Sequence, residues 1–388
     1  MKIIIVTQYF APAWTYGGPP KVLFNLSKEL IKSGHEVIVL TTDSLGEGRS
    51  SILSEKINGI KIFRLRTLSN HLAYKFKLFI VPDMARMLKE HLKGTDYVLY
   101  SDLRTLINLQ TYKLLLSEKI PYGIFSFGQI PYDKSWKGIV KKIYDSMWVR
   151  DFVTQAKYRF CQTEHERKMY GEYFQTKKEN TQLLLLPIDA KAYMPCDNVL
   201  NFYRKKLHIE SQDKVFLFVG RLHYLKGVDI LIRCMQTIMR KDKKVKFLIV
   251  GRDDGEKNNL VNMVPAEFKK RIIFLPPLYN EELAVIYKLS KCFIITPRFY
   301  EETSTAALEA LSYGISVITN DKSEIPYLEK YHAGYVAESN INSIVQQITN
   351  FLKDHRAISY KQNALRLIKD HYKSDIIASK LTAYLNRS

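Results

Sequence analysis

The sequence predicts an α/β protein made of two doubly wound domains of similar size. Short apolar runs alternate with segments of helical periodicity along most of the chain. This alternation is typical of βαβ units and of a parallel sheet covered on both faces. It restarts near Val215, after a stretch without clear periodicity. The length of 388 residues agrees with two domains, because a single core rarely grows beyond about 300 residues.

The predicted first domain spans residues 1–195 and opens with an apolar strand followed by a helix. A buried strand is predicted at Ile3–Thr7, a helix at Pro20–Ser33 and a strand at Glu36–Leu40. Four later apolar runs have the length and the residue content of strands. These runs are Ile60–Leu65, Tyr97–Tyr100, Tyr122–Phe125 and Leu183–Leu186.

The predicted second domain spans residues 205–371 and repeats the pattern with a helix over Val228 to about Met239. The stretch Pro187–Asp213, which is basic and weakly periodic, is predicted to be a linker. The final helical segment, residues 372–388, is expected to pack back on the first domain. The strands predicted for the second domain are Val215–Val219, Phe247–Val250, Ile272–Leu275, Phe293–Thr296 and Ser316–Thr319.

The composition restricts the class of protein and the charge of its ligands. With 59 Lys and Arg against 39 Asp and Glu, the net charge is +20. This charge favours an acidic partner: nucleic acid, an anionic membrane face or a phosphorylated substrate. We expect a cytoplasmic protein, since a signal-peptide pattern and a membrane-spanning run are missing from the sequence. The four cysteines are far apart, which predicts free thiols rather than disulfides or a metal site.

The loop after the first strand ends in Gly17-Gly18-Pro19-Pro20, just before a predicted helix. Glycine lets the backbone approach a ligand, and a helix N-terminus attracts phosphate. Gly17 and Gly18 are therefore candidate phosphate-binding residues, and an ordinary flexible loop is the alternative. The pattern lacks the G-x-G-x-x-G spacing of a dinucleotide site, which disfavours that ligand.

The first strand of the second domain is followed by Gly220-Arg221-Leu222-His223-Tyr224-Leu225-Lys226-Gly227. Arg221 follows the carboxyl end of this strand, and Lys226 precedes the next helix. Two cations in this position are well placed to neutralise a diphosphate. The alternative is a pair of ordinary surface cations in a basic chain.

A polar loop with two carboxylates precedes a helix of small residues in the second domain. Thr303 and Ser304 can cap this helix, and its free N–H groups can hold phosphate oxygens. Glu309 lies in an apolar helical run, where an unpartnered carboxylate is rare. Glu301 and Glu309 can together accept hydrogen bonds from hydroxyls at separate parts of one extended ligand. A solvated acidic turn is the alternative for Glu301 and Glu302.

With these motifs the chain resembles glycosyltransferases of family 4 over nearly its whole length. The motifs are Gly17-Gly18, the G-R-x4-K-G element from Gly220 to Gly227, and the E-x7-E element from Glu301 to Glu309. The resemblance implies the GT-B fold, with two Rossmann-like domains facing across a deep cleft. It also implies a hexosyltransferase of class EC 2.4 that needs no metal and no cofactor. Such an enzyme moves a sugar, with retention of configuration, from a nucleotide-diphosphate sugar to a glycan or lipid-linked saccharide, as in surface polysaccharide biosynthesis.

The resemblance further implies a role for each candidate residue. Arg221 and Lys226 correspond to the pair that binds the donor pyrophosphate and stabilises the departing diphosphate. Glu301 corresponds to the carboxylate that contacts the donor sugar, and Glu309 to the one that holds the ribose hydroxyls. The other positions implied for donor binding are Gly17, Gly18, Gly220, Leu278, Glu302, Thr303, Ser304 and Thr305.

Three places depart from the family pattern: the common N-G-V-D segment is shortened to Pro187-Ile188-Asp189, and two single residues differ. Phe127 stands where many members have a polar residue before glycine, so that a contact to the donor sugar is either absent or supplied by Gln129. Glu302 replaces the glycine that usually follows the first carboxylate. Both single-residue departures leave the identity of the donor sugar open. Asp253-Asp254 could hold a metal, but an Asp-Asp-Gly turn is the favoured interpretation.

The segment Lys56–Lys93 holds nine cations against Asp83 and Glu90, and it mixes them with aromatic residues. A segment of this kind can lie at an anionic membrane surface. Its cations Lys75, Lys77, Arg86 and Lys89 are candidates for an acceptor or membrane surface. The inner face of the plasma membrane is thus an expected site of peripheral attachment, and a solvated basic helix is the alternative.

Four other functions compete with sugar transfer. A nucleotide-sugar epimerase would use the same donor site, and an inactive binding subunit is compatible with Phe127. A phosphorylase would need a longer chain and a pyridoxal-binding lysine, neither of which is evident in the sequence. Nucleic-acid binding rests on charge alone, since neither a helix-turn-helix nor an RNA-binding aromatic signature is found, and nucleic acid is not expected as a partner.

Overall fold

The computed structural model describes residues 1–131, 136–189, 193–354 and 357–387. The chain divides into two compact units, the first with residues 1–187 and 374–388 and the second with residues 188–373. Each unit contains one sheet whose strands are almost all parallel. Within the described part of the chain, every helix is too short or too polar to cross a bilayer.

The first unit is built on a sheet of order β3-β4-β2-β1-β5-β6-β7-β8, in which only β3 runs antiparallel to its neighbour. Its central strand is apolar and completely buried from Ile3 to Val6, as expected for a parallel strand covered on both faces. The strands are β1 (Lys2–Val6), β2 (Glu36–Thr42), β3 (Ser54–Ile57), β4 (Ile60–Leu65), β5 (Tyr97–Ser101), β6 (Tyr122–Phe125), β7 (Tyr158–Cys161) and β8 (Thr181–Leu183).

Helices of the first unit follow its strands in the βαβ manner. A five-residue π-helical turn, Asp145–Val149, joins α5 to α6. The helices up to this point in the chain are α1 (Gly18–Lys32), α2 (Asn70–Phe76), α3 (Met84–His91), α4 (Leu106–Ser117), α5 (Trp136–Tyr144), α6 (Arg150–Gln155) and α7 (Glu164–Phe174).

The second unit has a parallel sheet of order β11-β10-β9-β12-β13-β14. Its central strands are again buried and apolar, as at Phe216–Phe218 and Phe247–Ile249. The strands are β9 (Lys214–Val219), β10 (Val245–Val250), β11 (Ile272–Leu275), β12 (Cys292–Ile294), β13 (Ser316–Asn320) and β14 (Gly334–Ala337). The helices are α8 (Asp197–Lys206), α9 (Val228–Lys241), α10 (Lys257–Asn262), α11 (Asn280–Leu289), α12 (Thr305–Ser312), α13 (Ile341–Lys353) and α14 (Ala357–Leu367).

The final helix, α15 (Ser374–Leu385), belongs to the first unit and packs on α1. Its Ile377 and Leu381 are fully buried. His35 Nε2 lies 3.2 Å from Thr382 Oγ1, and the Tyr384 ring packs near that of Tyr158. Where the chain enters and leaves the second unit, Ile188 donates its N–H to the Tyr372 carbonyl at 2.8 Å, so the two ends of this unit lie side by side.

Two sequence expectations are wrong at the boundary between the sheets. The strand expected at Leu183–Leu186 lies earlier, because β8 ends at Leu183 and the following leucines are buried as irregular backbone. The expected linker contains α8, whose buried Tyr203 donates a hydrogen bond to Glu282. The sequence of this segment is weakly periodic because Tyr203 is the one buried side chain of α8. Residues 190–192 of the expected linker lie outside the described part.

The strands β9 and β10 approach each other closely at their carboxyl ends. A Cβ atom placed on Gly251 would lie 1.7 Å from the carbonyl oxygen of Gly220. Gly220 N–H donates to Val250 O at 3.0 Å, and the pairing continues beyond the strands from Leu222 N–H to Arg252 O at 2.8 Å. Any side chain at position 251 would therefore force these two strand ends apart.

We expect Gly251→Ala to lower the free energy of unfolding by about 2 kcal/mol or more, because the new methyl group overlaps backbone that cannot rotate away. Gly48→Ala is the matched control, since a Cβ there has no atom within 4 Å. Urea denaturation of the full chain measures both changes. Equal stabilities of the two variants would contradict the close approach.

Candidate functional site

The candidate site of the second unit lies where its strand order reverses. Strand β9 has β10 on one side and β12 on the other. The loops that follow these strands leave the same edge of the sheet, and in open parallel sheets this edge at the reversal is where ligands bind. The residues of this unit that are predicted for donor binding follow β9, β11 and β12, so one sheet edge carries them.

The loop Gly220–Gly227 after β9 is held against the loop after β12. Gly227 has a φ of +65° and begins α9. A Cβ on it would lie 2.3 Å from Thr296 O, so only glycine fits here. Arg298, in the loop after β12, makes two further contacts with the loop after β9. Its backbone N–H donates to Leu225 O at 2.9 Å, and its guanidinium lies 4.2 Å from the Tyr224 ring centroid.

Lys226 and Glu301 meet at this edge. Lys226 Nζ lies 2.5 Å from Glu301 Oε1, and the two side chains are 20% and 28% exposed. The Glu301 backbone is fixed by an N–H···O bond of 2.7 Å to Lys322 O. The pair is half-buried, so its ammonium group and its carboxylate both remain within reach of a ligand that enters from solvent.

Arg221 lies on the same loop and is more exposed. Its Nη1 atom lies 2.8 Å from Asp254 Oδ2, and 55% of the side chain is exposed. The neighbouring Asp253 accepts N–H bonds from Gly255 and Lys257 at 3.0 and 3.1 Å, and these bonds hold the pKa of its carboxyl below the usual value. The two aspartates are thus used as a turn cap and a salt-bridge partner. Within the described residues, groups of three or more metal-binding side chains are not found.

The N-terminus of α12 is capped and largely buried. Ser304 Oγ accepts a bond from Ala307 N–H at 3.4 Å, and Thr303 Oγ1 donates to Glu324 O at 2.9 Å. Glu302 is only 5% exposed. Thr305 is the first residue of the helix. Because α12 begins directly after the loop that carries Glu301, its N-terminus lies at this edge of the sheet, and a helix N-terminus favours an anion.

Glu309 lies one turn further along α12 and is half-buried. Tyr287 donates its hydroxyl to Glu309 Oε2 at 3.1 Å and stacks on Tyr313 at a centroid distance of 5.3 Å. Burial, followed by the charge of Glu309, raises the pKa of Tyr287 well above its usual value. The tyrosine therefore stays protonated and holds the carboxylate in place. Leu278 is half-buried in the loop between β11 and α11.

The other predicted site residues belong to the first unit. Gly17 closes a short turn, and Gly18 is the first residue of α1. The preceding Tyr16 stacks on Tyr9 with a centroid distance of 4.8 Å, and Lys77 Nζ lies 4.3 Å from the Tyr16 ring centroid. The glycine loop and part of the basic segment thus share one aromatic cluster.

The four basic candidates of this segment differ in their surroundings. Lys75 and Lys77 lie at the end of α2, at 5.6 and 5.2 Å from the Tyr74 ring centroid. Arg86 lies 3.0 Å from Asp83 and 3.8 Å from Glu90, which offset its charge. Lys89 is exposed on α3. The positive charge of this surface is therefore smaller than the four cations suggest, because Arg86 is paired with two acidic side chains.

Phe127, which replaces the expected polar residue, has a φ of +46° and stacks on Phe125. The loop around it is held by Glu166, which accepts bonds from Ser126 Oγ at 2.6 Å and Gly128 N–H at 2.8 Å. Both ends of the Gln129 amide are used internally: Nε2 donates to Asp102 Oδ1 at 2.6 Å, and Oε1 accepts from Leu103 N–H at 3.0 Å. Gln129 is thus a structural residue in this conformation.

Sequence patterns gave no signal for Asp102, which lies directly after β5. It is 1% exposed and has a φ of +67°, a conformation that Asp tolerates better than most residues. Tyr9 donates its hydroxyl to Asp102 Oδ2 at 2.7 Å. Burial raises the pKa of Asp102 to about 6, against the hydrogen bonds that lower it. In the sequence, Ser101-Asp102 is an ordinary polar pair at the end of a strand, so the burial of Asp102 is evident from the structure alone.

The geometry brings together some predicted residues and separates others. Lys226 and Glu301 are in contact, and Arg221 shares the loop of Lys226. Glu309 and the capping residues Thr303 and Ser304 share α12. The other predicted residues belong to the first unit: Gly17, Gly18, Lys75, Lys77, Arg86 and Lys89.

Comparison with known proteins finds a family model and a relative to which this chain is similar. The family model of group 1 glycosyl transferases matches residues 201–370, which include every candidate residue of the second unit. The chain is 24% identical, over 98% of its length and 96% of the relative's, to an uncharacterized glycosyltransferase of Methanocaldococcus jannaschii.

Solved structures show the fold. The chain superposes on sucrose-phosphate synthase of Thermosynechococcus elongatus with a TM-score of 0.78 and 16% identity, covering 100% of this chain and 99% of the other. It superposes on Anabaena HepE in complex with UDP with a TM-score of 0.75 and 12% identity, over the whole of both chains. The predicted fold class is confirmed: the protein has the α/β GT-B fold.

The buried Asp102 predicts an unusual pH dependence of stability. The folded protein keeps the Asp102 proton up to a pH of about 6, whereas the unfolded chain releases it near pH 4. The folded state therefore binds more protons between these values, and this group makes stability fall as the pH rises through that window, by about 3 kcal/mol in all.

We expect Asp102→Asn to remove this contribution, so that the free energy of unfolding changes less between about pH 4 and pH 7 than in the wild type. Denaturant titrations at several pH values measure the slope. Asp151→Asn, which alters an exposed acid on α6, should keep the wild-type slope. Parallel curves for all three proteins would contradict a raised pKa at Asp102.

Proposed function

We propose that this chain is a glycosyltransferase that moves a sugar from a nucleotide-diphosphate sugar to a saccharide acceptor. The observation that carries the proposal is the Lys226–Glu301 pair beside Arg221 and the N-terminus of α12, all at one sheet edge. This edge lies within the match to group 1 glycosyl transferases. The superposable HepE structure in complex with UDP supports a nucleotide ligand of this kind.

The diphosphate is assigned to the cations and the helix end. Arg221 and Lys226 supply two positive charges, and the first turn of α12 at Ser304 and Thr305 supplies oriented N–H groups. The acidic partners of both cations are partly exposed, and exposed salt bridges are weak. A diphosphate can therefore replace Asp254 and Glu301 as the partner of these cations.

Once Lys226 turns to the phosphate, the Glu301 carboxylate is available to accept hydrogen bonds from the donor sugar. Glu309 is assigned to the ribose hydroxyls, because Tyr287 already fixes its carboxylate. Leu278 is placed near the base. In this arrangement the fixed cations stabilise the negative charge that develops on the leaving diphosphate, and the binding of the donor requires neither a metal nor an organic cofactor.

Retention of configuration, membership of family 4 and class EC 2.4 belong to the same proposal and rest on the resemblance of the motifs. Attack on the same face that the diphosphate leaves, with a donor phosphate oxygen taking the acceptor proton, needs no nucleophilic residue from the protein. Isolation of a covalent glycosyl-enzyme intermediate would contradict this route, as would a product with inverted anomeric configuration in its proton NMR spectrum.

The acceptor is assigned to the first unit, where Gly17 and Gly18 open α1 and Lys77 lies against Tyr16. A glycan or a lipid-linked saccharide of surface polysaccharide biosynthesis is the proposed acceptor class. Of the basic candidates, Lys75, Lys77 and Lys89 are the ones proposed to meet an anionic part of it, because Arg86 has two acidic neighbours. Peripheral attachment at the cytoplasmic face of a membrane follows if that acceptor is lipid-linked.

We expect Lys226→Ala to reduce the turnover of a nucleotide sugar by roughly 100-fold, since it removes one fixed charge from the leaving group. Arg221→Ala and Glu309→Gln should each weaken UDP binding by about tenfold or more, as expected for charge-assisted hydrogen bonds. Hydrolysis of a panel of nucleotide sugars measures turnover, and the rise in melting temperature with UDP measures binding.

Lys241→Ala is the matched control for these variants, because it removes the same charge from the far end of α9. It should keep wild-type turnover and UDP stabilisation. Equal turnover in the wild type, Lys226→Ala and Arg221→Ala would defeat the assignment of the site. Stabilisation by UDP without turnover of any donor would instead favour the inactive binding subunit that Phe127 allows.

A further inference from the structure

A continuous apolar face is exposed to solvent on α5 and the π-helical turn that follows it. Six large apolar side chains in this stretch of thirteen residues are at least half exposed. We refer to them as the 136–148 face. They are Trp136 (70%), Ile139 (64%), Val140 (52%), Ile143 (54%), Met147 (61%) and Trp148 (50%).

Spacing places these side chains on one side of the helix. Trp136, Ile139, Val140 and Ile143 recur at intervals of three and four residues, which is the repeat of a single helical stripe. The π-helical turn at Asp145–Val149 rotates each residue by less than an α-helical turn does. This rotation keeps Met147 and Trp148 towards the same side, in agreement with their exposure.

The opposite side of the same stretch is firmly anchored. Asp145 is 2% exposed and Val149 is fully buried. Arg104 binds Asp145 with two bonds, from Nε at 2.8 Å and from Nη2 at 2.6 Å. Both side chains of this pair are largely buried, and breaking a buried pair is costly. The helix is therefore held in place with its apolar side outward.

Charge indicates what covers the face. Lys141 and Lys142 are exposed on the same helix, and the chain carries a net charge of +20. A second copy of the chain would bring two strongly cationic surfaces together, whereas an anionic bilayer attracts them. Two of the three tryptophans of the sequence lie at the two ends of the face, and tryptophan favours the membrane–water interface.

We infer that the 136–148 face docks on an anionic lipid bilayer, with α5 lying in the interface and Lys141 and Lys142 at the headgroups. An amphipathic helix with an apolar stripe and flanking lysines binds such surfaces in this way. This inference uses a surface outside the basic segment Lys56–Lys93, and it stands apart from sugar transfer, although a membrane-bound acceptor would give it a purpose.

The same anchor ties the face to the loop after β6. Arg104 Nη2 also donates to Ile130 O at 3.2 Å, and Gln129 in that loop binds Asp102. A helix held by Arg104 thus shares its support with the carboxyl edge of the first sheet. Docking of α5 therefore brings this edge, where the acceptor is proposed to bind, close to the lipid headgroups.

Vesicle sedimentation tests the inference with the full chain. The probes are vesicles of phosphatidylcholine alone, and of roughly three parts phosphatidylcholine to one part phosphatidylglycerol. We expect the wild type to bind the anionic vesicles. Ile139→Ser/Ile143→Ser/Trp148→Ser should bind at least tenfold more weakly, because it lacks three apolar side chains that would become buried in the bilayer. Lys141→Glu/Lys142→Glu should also bind more weakly, and added salt should weaken the wild type.

Val261→Ser, which changes an exposed side chain on α10 of the second unit, is the control and should bind as the wild type does. Lys75→Glu/Lys89→Glu distinguishes the two surfaces: a loss confined to this variant would overturn the inference in favour of the basic segment. Failure of the wild type to sediment would also overturn it. So would a wild-type dimer that the triple serine variant converts to a monomer, since a second copy would then cover the face.

Tryptophan fluorescence gives a second readout. Brominated phosphatidylcholine in the anionic vesicles should quench the wild type, because Trp136 and Trp148 enter the interface, and Trp136→Phe/Trp148→Phe should bind but lose this quenching. Binding without quenching of the wild type would contradict docking through this face. Stabilisation by UDP, measured on each variant, shows that it is folded and tests the donor site independently of the membrane.

Discussion

Contact between backbone atoms at the carboxyl edge of the second sheet is the constraint on which the candidate donor site depends. Gly251 faces the Gly220 carbonyl, and Gly227 faces that of Thr296, so the loops after β9, β10 and β12 pack without intervening side chains. This packing fixes the backbone of the loop that carries Arg221 and Lys226, and Lys226 Nζ lies 2.5 Å from Glu301 Oε1. The cations and carboxylates of the site are therefore positioned by glycines that themselves carry no chemistry.

Electrostatics in the two units serves different purposes. At the candidate donor site the pairs Arg221–Asp254 and Lys226–Glu301 are partly exposed, and because exposed pairs are weak, an anionic ligand can exchange with their acidic partners. Three acidic side chains of the first unit are buried instead: Arg104 holds Asp145, and Asp102 and Glu166 brace the loops that follow β5 and β6. The partly exposed pairs of the candidate donor site suit binding and release, whereas the buried groups of the first unit make rigid supports. The net charge of +20 describes neither, because it says nothing of how the charges are paired.

Periodicity in the sequence predicted much of both sheets, because a buried parallel strand is an apolar run, as at Tyr122–Phe125. The structure reproduces the predicted bounds of this strand and also those of Ile60–Leu65 and Ile272–Leu275. It missed β7, which has the buried Arg159 among its residues. It also missed β3, an edge strand without buried residues, and β14, a short edge strand of the second sheet. Motif spacing pointed to Lys226 and Glu301, whereas the roles of Arg298, Asp102 and Gln129 depend on partners distant in sequence. The 136–148 face was also missed, since a helical stripe in a sequence does not show whether protein covers it.

The ends of the second unit have a further consequence. Ile188 pairs with the backbone at Tyr372, so the chain leaves this unit next to the point where it entered. The unit is thus a continuous insertion between Pro187 and Ser374, closed on itself by its own hydrogen bonds. Insertions with adjoining ends are well tolerated, since joining them strains neither side. Genetic recombination can therefore exchange residues 188–373 as a single cassette and leave the first unit and its final helix intact.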